Sequence, residues 1–538
     1  MQSNLSLEDV NIRKTKNTKS NQLAFGVMSS FFKRYTQFLL AMEVAILSEL
    51  ILQVSKNLDI DPLFITTFDR LGRNAKKYRK LITNIKSVHI YIKLVKVKVM
   101  KIVDIQEIQY LYNNLKLAEK REKKVLNITA NENIISETAS KFNNTIWSNR
   151  YHLGTLNDYE NCEFSVSKAG LVFRGLPEIY DLEKKAQQAA QYMFHAKQVE
   201  TRYLSGVHAV ITNLAILMNP GDLVLSIDPN DGGHFASKNL IKYLGGISQF
   251  LPFDRLKQEI DISKLKKQIL SKKPKIILFD HGATLFPLNL AAIRDVCGDE
   301  IVIIYDASHI LGLISGDAFP NPISLGCNIV QGNTHKTFPG PHKALTYWIN
   351  EELNTLREGL DHAFVSSQNT HQSISLYISL LEMYFFSRQY ASRTLTNAQI
   401  LAKKLTQCGL DVVSFNKGFT QSNMILLRLP SSKIAIKVCS LLQKHNISTN
   451  SRVIFDIPVL RLGVQEITRR GMGEIEIELI AKIIKLMIDQ VQENNDSILP
   501  KISNQISDLM NLFQKVEYSF DNLFSKGNIN DYTKSIAI

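Results

Sequence analysis

The chain has 538 residues, 45% hydrophobic and 21% charged, which predicts roughly three globular domains and excludes a disordered or collagen-like polypeptide. Its net charge is +14, but residues 1–100 hold 17 Lys and Arg against 7 Asp and Glu, so the basic character belongs to an N-terminal extension and the body is nearly neutral. Five cysteines stand singly with no CxxC spacing, which argues against a thiol-ligated zinc site or any other metal centre built on cysteine, and against a disulfide framework.

Along the chain, the polar leader lacks the apolar core of a secretion signal, so a cytoplasmic protein is expected. The run FLLAMEVAILSELILQV (38–54) is interrupted by Glu43 and Glu49 and is short for a span, so it reads as a buried amphipathic helix and no membrane association is expected. A basic stretch, RNAKKYRK (73–80), precedes SVHIYIKLVKVKVMKIV (87–103). There Val95, Val97 and Val99 alternate with Lys96, Lys98 and Met100, the period of a half-exposed strand. These lysines read as a solvated face. No nucleic-acid-reading motif accompanies them, so a nucleic-acid partner is not expected.

The texture changes near 104. IQEIQYLYNNLKLAEKREKKVL (105–126) reads as a helix. DLVLSID (222–228), KIILFD (275–280), IVIIYD (301–306) and NIVQGN (328–333) are short strands rich in Val and Ile, and PLNLAAIRDVC (287–297) has a helical pattern. Strand–helix–strand repetition with fully apolar strands predicts an α/β fold with a mostly parallel sheet covered on both faces. In such sheets ligands sit beyond the carboxyl ends of the strands. Attention therefore falls on 229–234, 281–284, 306–309 and 333–336. Residues 351–395 read as helical linkage. Residues 396–490 (DVVSF, MILLRL, VLRLGV) read as a smaller α/β domain, and 491–538 as a polar, partly helical tail. The expected divisions are 1–103, 104–350, 351–490 and 491–538.

Five segments carry chemistry. Gly332-Asn333-Thr334-His335-Lys336-Thr337 sets one lysine in a loop after a strand, where a neutral amine can form a Schiff base with an aldehyde. Taken alone, it reads as a surface loop lysine. Asp306 ends the strand before it and suits a pyridinium nitrogen, whose protonated state a carboxylate stabilises. Ser205 and Gly206 enter a helix, a setting for phosphate. Asp231-Gly232-Gly233-His234 offers an imidazole able to stack on a flat ring. Arg461 is suited to gripping a carboxylate bidentately. Each is weak alone; together, each at the end of a predicted element, they form a cofactor constellation.

Here the chain resembles the serine hydroxymethyltransferase group of fold-type I pyridoxal-phosphate enzymes over roughly residues 104–490. The resemblance rests on THKTFPGP around Lys336, DASHILGLISG (306–316) and LRLGVQEITRRGM (460–472), and more loosely on ANEN (130–133) and SNRYHLG (148–154). It implies a large domain with a seven-stranded-type, mostly parallel sheet, a smaller C-terminal α/β domain, and a homodimer. It implies pyridoxal 5′-phosphate bound covalently to Lys336, with Asp306 at the ring nitrogen, His234 on the ring face, and Ser205 and Gly206 at the phosphate. His309 and His335 would hydrogen-bond around cofactor and substrate. Arg461 and Asn131 would bind the amino acid, and Tyr151 would line the site from the neighbouring subunit, with Tyr159 in the place of a second tyrosine.

The departures are informative. Leu153 stands where the family carries a glutamate that handles protons and contacts folate, and leucine does neither. Asn131 replaces a substrate-binding serine, Gln368-Asn369-Thr370-His371 replaces a Gly-Gly-Pro phosphate segment, and His342 replaces an arginine. These changes put tetrahydrofolate-dependent one-carbon transfer in doubt. They are similar to a branch of the group that performs transaldolation. The resemblance thus implies cleavage and formation of the Cα–Cβ bond of β-hydroxy amino acids through a glycyl quinonoid, with a small-molecule amino acid and an aldehyde as partners. Lys336, Tyr151 and the three histidines would be the catalytic set, the base being His234, His309 or His335. The alternatives are a folate-dependent serine hydroxymethyltransferase and a non-catalytic binder acting through its basic N-terminus.

Overall fold

The structure, a computed structural model, describes residues 105–152, 164–166, 172–493, 499–521 and 523. The basic extension through residue 103, with its apolar helix and lysine-rich strand, lies outside the described residues, as do Leu153, Tyr159 and Cys162. The chain divides into two units, Met1–Leu115 and Lys116–Ile538. The described residues of the first belong to the helix Ile105–Glu122, which buries no side chain.

The second unit is built on a seven-stranded sheet. Its strands are β1 (Gln198–Glu200), β2 (Leu223–Ser226), β3 (Ile247–Phe250), β4 (Ile276–Phe279), β5 (Val302–Asp306), β6 (Ile329–Asn333) and β7 (Ala344–Trp348), in the order β1-β7-β6-β5-β4-β2-β3. From β3 to β6 all neighbours are parallel, and β7 runs antiparallel to both β6 and β1. The apolar strands are buried on both faces because the pleat sends successive side chains to opposite sides. Leu225, Ile277, Phe279, Ile303, Tyr305 and Val330 enter one core, and Val224, Ile276, Leu278, Ile304 and Ile329 enter the other. At about 1.5–3 kcal/mol for each large apolar side chain buried, this double burial is the main reason the strands lie at the centre.

The 38-residue helix Thr370–Gln407 serves two cores. Its first half lays Ile374, Leu376, Leu380, Met383 and Tyr390 against the sheet. Its second half lays Ala398, Leu401, Ala402 and Leu405 against a three-stranded antiparallel sheet of β8 (Met424–Arg428), β9 (Asn450–Ile454) and β10 (Ile457–Gly463), with β10 central. The helices Ser432–Lys444, Glu474–Glu493 and Leu499–Leu512 complete that second core.

Three expectations need correction. DVVSF (411–415) is not a strand: Val412 makes a single bridge to Leu427, and a left-handed Ser414 (φ 66°) turns the chain into the 3-10 segment Phe415–Lys417. The helix expected over 105–126 stops at Glu122, because Leu126–Asn127 pairs in parallel with Ile447–Ser448. The described part of the tail is not merely polar, since Ile502, Ile506, Leu509 and Met510 are buried in the second core. Among the described residues, no helix is long and apolar enough to cross a membrane.

Candidate active site

The site gathers at the carboxyl ends of β2, β4, β5 and β6, with β10 contributing from the small sheet. Lys336 sits in a tight loop after β6. The Thr334 amide donates to the Lys343 carbonyl (3.0 Å) and the Gly340 amide to the Thr334 carbonyl (2.7 Å). Asn133 Nδ2 donates to the Lys336 carbonyl (2.6 Å), and the Tyr390 hydroxyl donates to the Thr337 carbonyl (2.8 Å). Gly312 permits this packing, because a Cβ there would lie 2.3 Å from the Thr337 carbonyl oxygen.

The Lys336 amine lies 3.0 Å from Nε2 of His309. Burial pushes its pKa down to about 8; Asp306 opposes the shift and Arg461 adds to it. Burial, helped by Lys336 and Arg461, holds His309 well below the usual histidine range, so its ring is neutral at pH 7. Asp306 accepts the Ser308 amide (2.9 Å) on one oxygen and Gln331 Nε2 (3.1 Å) on the other. The His234 ring is within electrostatic reach of both Asp306 and Lys336, and burial lowers its pKa.

Arg461, on β10, is 6% exposed. Its guanidinium donates to Asn450 Oδ1 (2.9 Å), to the Gly282 carbonyl (3.0 Å) and to Asn131 Oδ1. All three acceptors are neutral, so the buried cation has no carboxylate partner among the described residues, and burial lowers its pKa to about 10. Asn131 is thereby brought beside Arg461.

Ser205 caps the helix Gly206–Leu217, its oxygen accepting the His208 amide (3.1 Å), which leaves the hydroxyl proton to donate elsewhere. The Gly206 amide, expected at a phosphate, donates instead to Asn333 Oδ1 (2.9 Å), and that side chain fills the space over Gly206. His335 stacks on His342 (centroids 3.7 Å apart, 18° between planes). Burial, His342 and Lys336 push its pKa down to about 3, and its buried Nδ1 has no hydrogen-bond partner among the described residues. Tyr151 stands at the surface of the single chain, 51% exposed.

The sequence reading gave no role to Asn133, Asn333, Asp280 or Lys343. Asp280 carried a usable signal: it ends an apolar strand just as Asp306 does. Lys343 is a second buried amine, pushed down to about 7, but its Nζ donates to the Gln368 carbonyl (3.0 Å) and its electrostatic neighbours are Glu200, Glu183 and Arg202 rather than Asp306. Among the described residues, no group of three His, Cys, Asp or Glu is placed to hold a metal ion.

The residues present fit a pyridoxal-type group. A depressed buried amine suits its aldehyde, a carboxylate that accepts from two N–H donors suits a protonated ring nitrogen, and a ring nitrogen of His335 that is unpaired among the described residues lies beside the lysine.

A family model described as serine hydroxymethyltransferase matches residues 105–484. The chain is 32% identical over 406 residues to the fluorothreonine transaldolase of Streptantibioticus cattleyicolor, covering 75% of this chain and 62% of that protein, so it spans about 62% of that relative's length. It is 30% identical over 412 residues to the serine hydroxymethyltransferase of Methanosphaera stadtmanae, covering 74% of this chain and 92% of the relative. Among solved structures, the L-threonine transaldolase from Pseudomonas fluorescens, in its internal aldimine state, superposes with a TM-score of 0.71 at 26% identity, over 83% of this chain and 100% of that one.

Proposed function

The chain belongs to the serine hydroxymethyltransferase family, and on that premise we propose that it is a folate-independent transaldolase: it cleaves a β-hydroxy amino acid at Cα–Cβ and passes the glycine unit to a second aldehyde. Pyridoxal phosphate is the cofactor the family implies; Lys336 would hold its aldehyde carbon, Asp306 its ring nitrogen, His234 its ring face, and Ser205 with the helix behind it its phosphate. When bound, it supplies the electron sink that makes Cα–Cβ cleavage accessible.

The chain's own residues do the rest. The Lys336 amine, at about 8, is roughly one-tenth neutral at pH 7 and so is available as a nucleophile. Arg461 has no carboxylate partner among the described residues and grips that of the amino acid, while Asn131 beside it holds the guanidinium in place. Of the three candidate imidazoles, His309 is in hydrogen-bond contact with the Lys336 amine. Being neutral, its Nε2 takes the proton from the β-hydroxyl as the bond breaks and returns it to the incoming aldehyde oxygen. Burial of His309 and Arg461 excludes water and strengthens these contacts.

The observation that carries this reading is the Lys336–His309 contact beside an arginine whose partners among the described residues are all neutral. The likeness to two transaldolases supports the folate-independent form over one-carbon transfer. Tyr151, so exposed in one chain, is taken to complete the site of a second copy in a homodimer. A cytoplasmic setting goes with the singly scattered cysteines.

The test is to incubate the holoenzyme with L-threonine and a second aldehyde, with and without tetrahydrofolate, and to follow acetaldehyde release and the new β-hydroxy amino acid. The reading expects both products at equal rates in both arms. Serine cleavage that needs tetrahydrofolate would instead support the one-carbon reading.

A further inference from the structure

Asp280 directly follows β4, and Asp306 is the last residue of β5. The two strands are parallel neighbours with Phe279 opposite Tyr305, so the carboxyl groups come side by side at the same edge of the sheet. Asp280 is 4% exposed and makes no ion pair among the described residues. Its Oδ1 accepts the amide of Ile227, just past β2 (3.2 Å), and its Oδ2 accepts the amide of His234 (3.3 Å). The segment between them is held on the same edge. Gly282 donates to the Gly232 carbonyl (2.8 Å), and Gly233 approaches so closely that a Cβ there would lie 2.1 Å from the Ile227 carbonyl oxygen. Gly232 adopts φ 91°, which returns the chain after the short Pro229–Asp231 turn.

We propose that Asp280 is a positioning residue: it anchors the loop that presents His234 to the cofactor, and the ionisation of its carboxyl tunes that placement with pH. The inference rests on the role given above to His234. The groups facing Asp280 are Asp306 from β5, the Ser237 hydroxyl from the following helix, the Ile227 amide and His234 itself. Burial pushes the Asp280 carboxyl up to about 7, with Asp306 adding to the shift and Ser237 and the Ile227 amide opposing it. As pH rises through neutrality the carboxyl ionises and holds the two amides by charge-assisted bonds. Below that range it holds them as a neutral acceptor, and the loop is anchored less firmly.

The experiment compares wild type, Asp280→Asn, His234→Ala and the double variant. Apoenzyme is titrated with pyridoxal phosphate, and the circular dichroism of the bound cofactor is followed from pH 6 to 9. The inference expects a change in the wild-type signal across neutrality that Asp280→Asn flattens, and a loss of cofactor affinity in Asp280→Asn of about tenfold, the scale of one charged hydrogen bond. In the His234→Ala background the same substitution adds less than twofold, because it acts through that imidazole. A wild-type signal constant with pH, a wild-type affinity in Asp280→Asn, or an equal loss in both backgrounds overturns it. If Asp280→Asn does not fold, Asp280→Ser and the wild-type pH series decide. Borohydride trapping on wild-type Lys336 separates the two readings. With the adduct present, these outcomes judge Asp280 alone; without it, the proposed function falls first.

Discussion

The amine of Lys336 meets Nε2 of His309 at 3.0 Å, in a setting that keeps the imidazole neutral and lowers the amine to about 8, so that part of it is uncharged near neutrality. A buried amine held beside a buried imidazole gives the site a nucleophile and a proton acceptor in contact, which neither side chain provides alone.

Replacing His309 with Asn keeps a polar side chain beside Lys336 but removes the titratable nitrogen. Cofactor content, read from absorbance, should stay near wild type, while aldehyde release falls by about 10²–10⁴-fold. Unchanged release would move the base to His234 or His335.

Cofactor uptake by the apoenzyme should accelerate as pH rises through about 8. Burial disfavours the ammonium form of Lys336, so the neutral amine appears more than two pH units below the usual lysine range. Stopped-flow mixing with pyridoxal phosphate from pH 6.5 to 10 would measure this. A midpoint near 10.5 would mean that the amine is solvated.

Arg461→Lys should raise KM for the amino acid by about 10–100-fold with a smaller effect on kcat, because an ammonium cannot reproduce the fork that engages Asn450, Gly282 and Asn131 while also gripping a carboxylate. Steady-state kinetics on one amino acid decides it. A fall confined to kcat would place the arginine elsewhere in the reaction.

Much of the fold was legible because it follows from burial. KIILFD and IVIIYD are apolar at every position that faces either core, and only a central parallel strand asks for that. The loop residues Lys336, Asp306 and His234 could be placed at strand ends for the same reason. The helix of 287–297 starts only at Leu290, where Asn289 caps it by accepting the Ala292 amide, a local bond that periodicity does not see. Long-range choices were hidden. Nothing in the sequence says that Asn333 turns toward the Gly206 amide, or that the amphipathic stripe Ile502, Ile506, Leu509 packs under the small sheet. The Arg461–Asn131 contact joins residues far apart in sequence, and neither pattern nor the family resemblance announced it.

His281, next to Asp280, predicts an acid-sensitive fold. Burial, opposed in part by the Asp231 backbone, pushes its pKa down to about 4 from an ordinary value near 6.5. The unfolded chain therefore binds the proton first. The stability contribution is complete above about pH 6.5 and is lost as pH falls toward 4, amounting to about 3 kcal/mol at most. His281→Phe should flatten the decline in thermal stability between pH 6.5 and 4. An unchanged slope would show that other groups set the acid limit.

The central claim is that Lys336, and no other buried amine, carries the cofactor. Holoenzyme reduced with borohydride, digested and analysed by mass spectrometry tests it most directly, because Lys343 is an internal rival whose pKa is pushed down to about 7. The account predicts a reduced pyridoxyl group on the peptide containing Lys336, lost in Lys336→Ala and kept in Lys343→Met. An adduct on Lys343, or none in wild type supplied with excess pyridoxal phosphate, would contradict it.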